Sequence, residues 1–263
     1  MSRIAVAKLL SGPDEWDRRK LQILMWVAVF IVAAVVVGIA WSIQLLTSGG
    51  DDSAEAAPGS ADGGVDTAGV RGAEPDGAQP GPLSAAETGT LVIPQARSLG
   101  EAQVATGFPR TAEGAMAQLV AIDRRALESV SLVTAQDVIS VWAATGGPTA
   151  ESWSGVHAMA TLLSDAGLPA DGATEIQVEL RPAMGLIRES TAEGVIPCVD
   201  YVLTVTPSTS LPSRIAAADC QRMVWQSGRW LIGPGTEPEG APSLWPGTQA
   251  SYDAGYEWLE VSP

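Results

Sequence analysis

His157 is the only histidine in the chain, and Cys198 and Cys220 are its only cysteines. Transition-metal sites draw on these residue types, so a metal centre would lack ligands here. His157 stands among alanine and methionine in a stretch of helical pattern, where a lone imidazole is expected to be structural. No nucleophile elbow, phosphate-binding loop or zinc-protease helix motif occurs. That leaves Asp200 and Asp219, both inside strand-like stretches. A strand carboxylate facing a pocket could serve as a general base. Neither aspartate can be matched to a second polar group, and Asp200 shares its strand face with Cys198 and Thr204, opposite the apolar set. Both carboxylates are expected to point to solvent. The sequence therefore yields no catalytic, cofactor-binding or metal-binding residue, and the expectation is a protein that is not an enzyme.

The two cysteines have a more specific reading. Their midpoint is Thr209, inside the turn-rich segment Pro207-Ser208-Thr209-Ser210-Leu211-Pro212. In a hairpin, residues equidistant from the turn face each other with Cα atoms about 4.5–5.5 Å apart, within disulfide reach. A Cys198–Cys220 bond is expected if the compartment is oxidising; two buried thiols are the alternative.

The elements that hold these residues can be read from periodicity. Thr111 suits an N-cap, and Met116, Leu119, Val120, Leu127 and Val130 follow at helical spacing. A second helix is expected to open at Thr134, with Asp137 completing a near capping box, and to run to Gly146-Gly147. A third is expected over Ala150–Ala166. After Gly172 the period becomes two: Ile176, Val178 and Leu180 alternate with polar residues, and Val199, Tyr201, Leu203 and Val205 repeat the pattern. A third strand is expected over Ile215–Gln226, turning at Ser227-Gly228 into Arg229–Ile232. Helices followed by antiparallel strands predict an α+β domain with helices packed on one face of a curved sheet. We place this domain at 107–235, with a Pro/Gly-rich tail at 236–263 carrying a short amphipathic helix around Tyr252, Tyr256 and Leu259. The aromatics of that tail suit an interface, or packing back onto the domain.

The N-terminal part has a different character. Leu21 to Leu46 contains no charged residue, and about 20 apolar residues suffice to cross a bilayer. Trp26 and Trp41 lie near its ends, and Arg18-Arg19-Lys20 precedes it. The positive-inside rule then puts residues 1–20 in the cytoplasm and the rest outside the cell membrane. A cleaved signal peptide is the rival, but its apolar core would run only about 7–15 residues. Residues 47–106 are read as a disordered linker, because their small and polar composition buries too little apolar surface to offset ordering.

The formal charge is −15, and no lysine follows Lys20. An acidic chain of this kind is not expected to bind nucleic acid directly.

These features together resemble bitopic scaffold proteins of type IV secretion and conjugation channels, whose extracytoplasmic domains have the nuclear-transport-factor-2-like fold, a cone of helices on a curved sheet. The Gly107-Phe-Pro-Arg-Thr-Ala-Glu-Gly-Ala115 lead into the first helix, the Trp225-Gln-Ser-Gly-Arg-Trp230 hairpin and the tail from Trp245 to Tyr256 are similar to those of actinobacterial conjugative-element membrane proteins. Scaffolds with two tandem domains differ, since this chain has room for one. The resemblance implies no catalytic residues and no cofactor. It implies self-association and contacts with other envelope or channel proteins. The alternative function is a lipid- or solute-binding accessory protein of an envelope transporter, in which the same fold keeps an open apolar pocket.

Overall fold

The computed structural model describes residues 77–262 apart from positions 87 and 173. The expected cytoplasmic segment at 1–20, the expected transmembrane helix at 21–46 and linker residues 47–76 lie outside the described residues. Among the described residues, no helix is long and apolar enough to cross a membrane.

Three helices come first. The Thr111 hydroxyl accepts from the Gly114 amide at 3.1 Å, and helix α1 runs Ala112–Glu128 from that cap. Gly114 is required there, because a Cβ would stand 2.0 Å from the Pro109 carbonyl oxygen. Helix α2 spans Leu132–Trp142 and is capped by Ser131, not by Thr134. The earlier start adds one turn, with the Thr134 amide donating to the Ser131 hydroxyl at 3.3 Å. Helix α3 spans Ser154–Asp165, four residues short of the expected start. It has no cap of its own; Glu237, far along the chain, accepts from the Ser154 amide at 3.0 Å.

The strands are β1 (Thr90–Ile93), β2 (Ser98–Leu99), β3 (Ala105–Thr106), β4 (Ile176–Ser190), β5 (Val195–Pro207), β6 (Ser213–Cys220), β7 (Met223–Gln226), β8 (Arg229–Ile232) and β9 (Glu257–Val261). The main sheet has the order β1-β9-β4-β5-β7-β8, with β6 also paired to β5. It is antiparallel except for the parallel pair β1–β9. Bulges in β4 between Pro182 and Met184 and between Ile187 and Glu189 let this long strand bend. A proline fits within a central strand only at such a break in the ladder. The chain is thus α+β, helices against a curved antiparallel sheet, as expected.

Three further boundaries differ from the sequence reading. Ordered structure includes 77–106, assigned above to the linker. The Trp245 amide donates to the Gly77 carbonyl, the Ala216 amide to Ala78, and β1 pairs with β9. Backbone pairing holds this segment, and its few larger aliphatics are used: Ile93 and Val104 are buried in the main core with Leu91 packed against it. The expected strand Ile215–Gln226 is broken at Gln221 and Arg222 into β6 and β7. In the tail, helix α4 covers only Gln249–Asp253; Gly255, at φ 86°, ends that turn and Trp258 and Leu259 lie in β9.

Both sheet faces are covered. The main core fills the space between helices and sheet, where Met116, Leu119, Trp142, Trp153, Met159 and Tyr201 are almost wholly buried. Each buried tryptophan removes roughly 150–250 Å² from water, worth about 4–6 kcal/mol at the usual area coefficient. A smaller core on the other face gathers Met184, Cys198, Val202, Cys220, Ala241 and Tyr256 beneath the tail.

Candidate functional site

The hairpin register decides which side each strand aspartate takes. Cys198 faces Cys220, Val199 faces Asp219 and Asp200 faces Ala218. The cysteines form the expected disulfide, Cα atoms 4.1 Å apart, and the bond lies in the smaller core. Asp219 therefore shares the helix-facing side with Val199 and Tyr201, and Asp200 takes the opposite side.

On the helix-facing side Asp219 joins a polar seam. Asp123 of α1 is buried and accepts from the Tyr201 hydroxyl at 2.6 Å. Gln221, at the break between β6 and β7, donates to Asp219 Oδ1 and to Ser154 Oγ, both at 3.2 Å. Glu237 closes the seam at the Ser154 amide. Three buried atoms here have no partner: Asp219 Oδ2, Gln221 Oε1 and Trp153 Nε1.

Carboxylates crowded away from water hold their protons tightly. Burial, then the charge of Glu237, pushes Asp219 up to about 7, against the opposing hydrogen bonds from Gln221 and the Cys220 backbone. Asp123 is raised well above the usual range by burial and by the Asp219 charge, although the Tyr201 hydrogen bond opposes the shift. Burial and the neighbouring Asp123 raise Tyr201 as well.

Asp200 is the larger departure from expectation. It is fully buried and both carboxylate oxygens lack partners. Burial pushes it up to about 8, opposed only by the Leu244 backbone. Strand alternation predicted its face correctly, but that face is roofed by the tail and does not meet solvent. Tyr256 in the roof is buried and donates its hydroxyl to the Pro242 carbonyl at 3.0 Å. The tail aromatics thus pack back onto the domain.

His157 lies exposed on α3. Among the described residues, no three His, Cys, Asp or Glu side chains converge to hold a metal ion. The sequence reading missed Asp123, Tyr201, Gln221 and Glu237. Asp123 carried a signal, since it falls four residues after Leu119 and three after Val120, on the apolar stripe of α1. Glu237 carried none.

The seam can store protons and tie helices to sheet. None of its residues lines either of two clefts on the described surface. One, of about 350 Å³, runs along β1 beside Pro109 and Glu113. The other, of about 150 Å³, lies between Arg110 and the turn at Thr191–Gly194. The chain matches no protein-family model, no curated protein and no solved structure.

Proposed function

We propose that the protein is a non-enzymatic, single-pass membrane scaffold or accessory subunit of a conjugation or type IV secretion-like envelope apparatus. Its folded domain is read as a nuclear-transport-factor-2-like cone held outside the membrane by the apolar run Leu21–Leu46. The observation that supports the reading is the packed interior: Trp142, Trp153, Met116 and Met159 are fully buried in the main core. A domain filled in this way works through its outer surface. The uncharged 26-residue run and the basic cluster before it supply the anchor. Resemblance of the helix lead, the tryptophan hairpin and the tail to conjugative-element proteins points to the kind of apparatus.

The test is complementation of a deletion strain, read as DNA transfer between cells. His157→Ala and Asp219→Asn should retain transfer, whereas deletion of residues 21–46 should abolish it with the domain still folded. Loss of transfer in a folded Asp219→Asn variant would overturn the non-enzymatic reading.

A further inference from the structure

Gln221 uses both hydrogens of its side-chain amide. Nε2 donates to Asp219 Oδ1 and to Ser154 Oγ, each at 3.2 Å, and a primary amide has no third hydrogen. One oxygen of each group is left over. Asp219 Oδ2 and Gln221 Oε1 are both buried, neither has a partner among the described residues, and Gln221 as a whole is sealed from solvent. With Asp219 ionised, both would be acceptors on groups already joined through Nε2 and Oδ1. An unmet buried acceptor costs about 1–3 kcal/mol. A single proton on the carboxyl satisfies both oxygens: the acid O–H donates to the amide oxygen while the amide N–H donates to the acid carbonyl. Turning the amide over offers no escape, because it sets the amide oxygen against Oδ1 in place of Oδ2.

Ser154 is the junction of this seam. Its hydroxyl accepts from Gln221, and its amide donates to Glu237 at 3.0 Å. The start of α3 is thereby tied to the break between β6 and β7 and to the head of the tail. On either side of Glu237 the tail is fixed by its backbone: the Gly235 amide donates to the Gly146 carbonyl, and Arg188 donates to the carbonyls of Glu239 and Gly240. Among the described residues, the Glu237 bond is the only hydrogen bond made by 236–238. The charge around Asp219 is one-sided. Asp123 of α1, bonded to Tyr201 of β5, and Glu237 of the tail both bear on the seam. Arg124 of α1 acts on Tyr201 and pairs with Glu128. His157, in the first turn of α3, is exposed.

We propose that Asp219 holds a proton and donates it to Gln221 Oε1, and that this carboxyl–carboxamide pair is an acid-closed latch fastening the start of α3 and the tail at Glu237 to the sheet. When the proton leaves to solvent, the carboxylate faces the amide oxygen and the Glu237 charge, and the fastening opens. Burial and Glu237 put the change at about 7 in the closed form, against about 4 for a carboxyl exposed by opening. Within that window the closed form binds more protons. The latch is therefore firmest near pH 4, weakens as pH rises to about 7, and is level beyond it. Asp200 takes the opposite face of the sheet and is no part of the latch.

The test is hydrogen exchange of the full chain in its membrane, read by mass spectrometry on the peptides carrying Ser154 and Glu237 and corrected for the intrinsic pH dependence of exchange. One linked proton makes protection fall about tenfold per pH unit between about 4 and about 7, and then level off. Asp219→Asn puts an N–H where the acid O–H stood, so its protection should stay high above pH 7. Glu237→Gln keeps an oxygen for the Ser154 amide and removes the neighbouring charge, so levelling should come at lower pH. Gln221→Met removes the acceptor and should drop acid-side protection to the parent's alkaline value. Flat protection in the parent, as an ionised Asp219 bridged to Gln221 by water would give, would overturn the latch. So would an Asp219→Asn variant that follows the parent's slope, or a Gln221→Met variant that keeps the parent's acid-side protection. Exchange is read without DNA transfer, so failure here and failure of the scaffold function are separate results.

Discussion

Tyr201 of β5 donates its hydroxyl to Asp123 of α1 across 2.6 Å, a buried bond between residues 78 apart in the chain. It ties the central helix to the middle of the sheet. Tyr201→Phe keeps the ring but strips the carboxyl of its partner. The expected loss is about 1–3 kcal/mol in urea unfolding. An unchanged midpoint would mean that the bond carries no net stability.

Asp219 and Asp200 make stability depend on pH. A carboxyl in the unfolded chain titrates near 4, while these titrate near 7 and 8 in the fold. Between the two limits the folded state holds more protons, so stability falls as pH rises from about 4 to about 8 and this contribution is flat outside that window. Unfolding midpoints should be higher at mildly acidic than at mildly alkaline pH. Asp219→Asn and Asp200→Asn should each flatten the profile, and Asp200→Asn should gain most on the alkaline side. A steeper profile in either variant would contradict the assignment.

The Cys198–Cys220 bond closes a loop of 22 residues. Cys220→Ser should lower stability by about 2–4 kcal/mol under non-reducing conditions. Thiol titration of the unfolded native protein without reductant should find no free thiol. Finding two would remove the bond.

Gly114 lets α1 start directly beneath the Pro109 carbonyl. Gly114→Ala forces backbone apart at the head of the central helix and should lose about 1–3 kcal/mol. A variant as stable as the parent would show that the lead into α1 adjusts freely.

Local chemistry explains what was legible in the sequence. Thr111 caps α1, and the symmetry about Thr209 gives the register of β5 and β6, because each depends on neighbours in the chain or on one turn. What stayed hidden depends on distant partners. Glu237 caps α3 from 83 residues away, and β1 is ordered by a strand near the other end of the chain. Alternation assigned Asp200 to the face of Cys198; it could not say that Tyr256 and the tail would roof that face. Asp123 was visible as an acid on an apolar stripe, but its partner Tyr201 was indistinguishable from the other inward residues of β5.

Complementation with the folded domain freed from the membrane tests the scaffold account most directly. Residues 77–263, exported as a soluble protein and checked by circular dichroism for the fold, would be compared with the full chain for DNA transfer in the deletion strain. The account predicts transfer with the full chain, including its Asp219→Asn variant, and none with the soluble domain. Restoration of transfer by the soluble domain alone would contradict it.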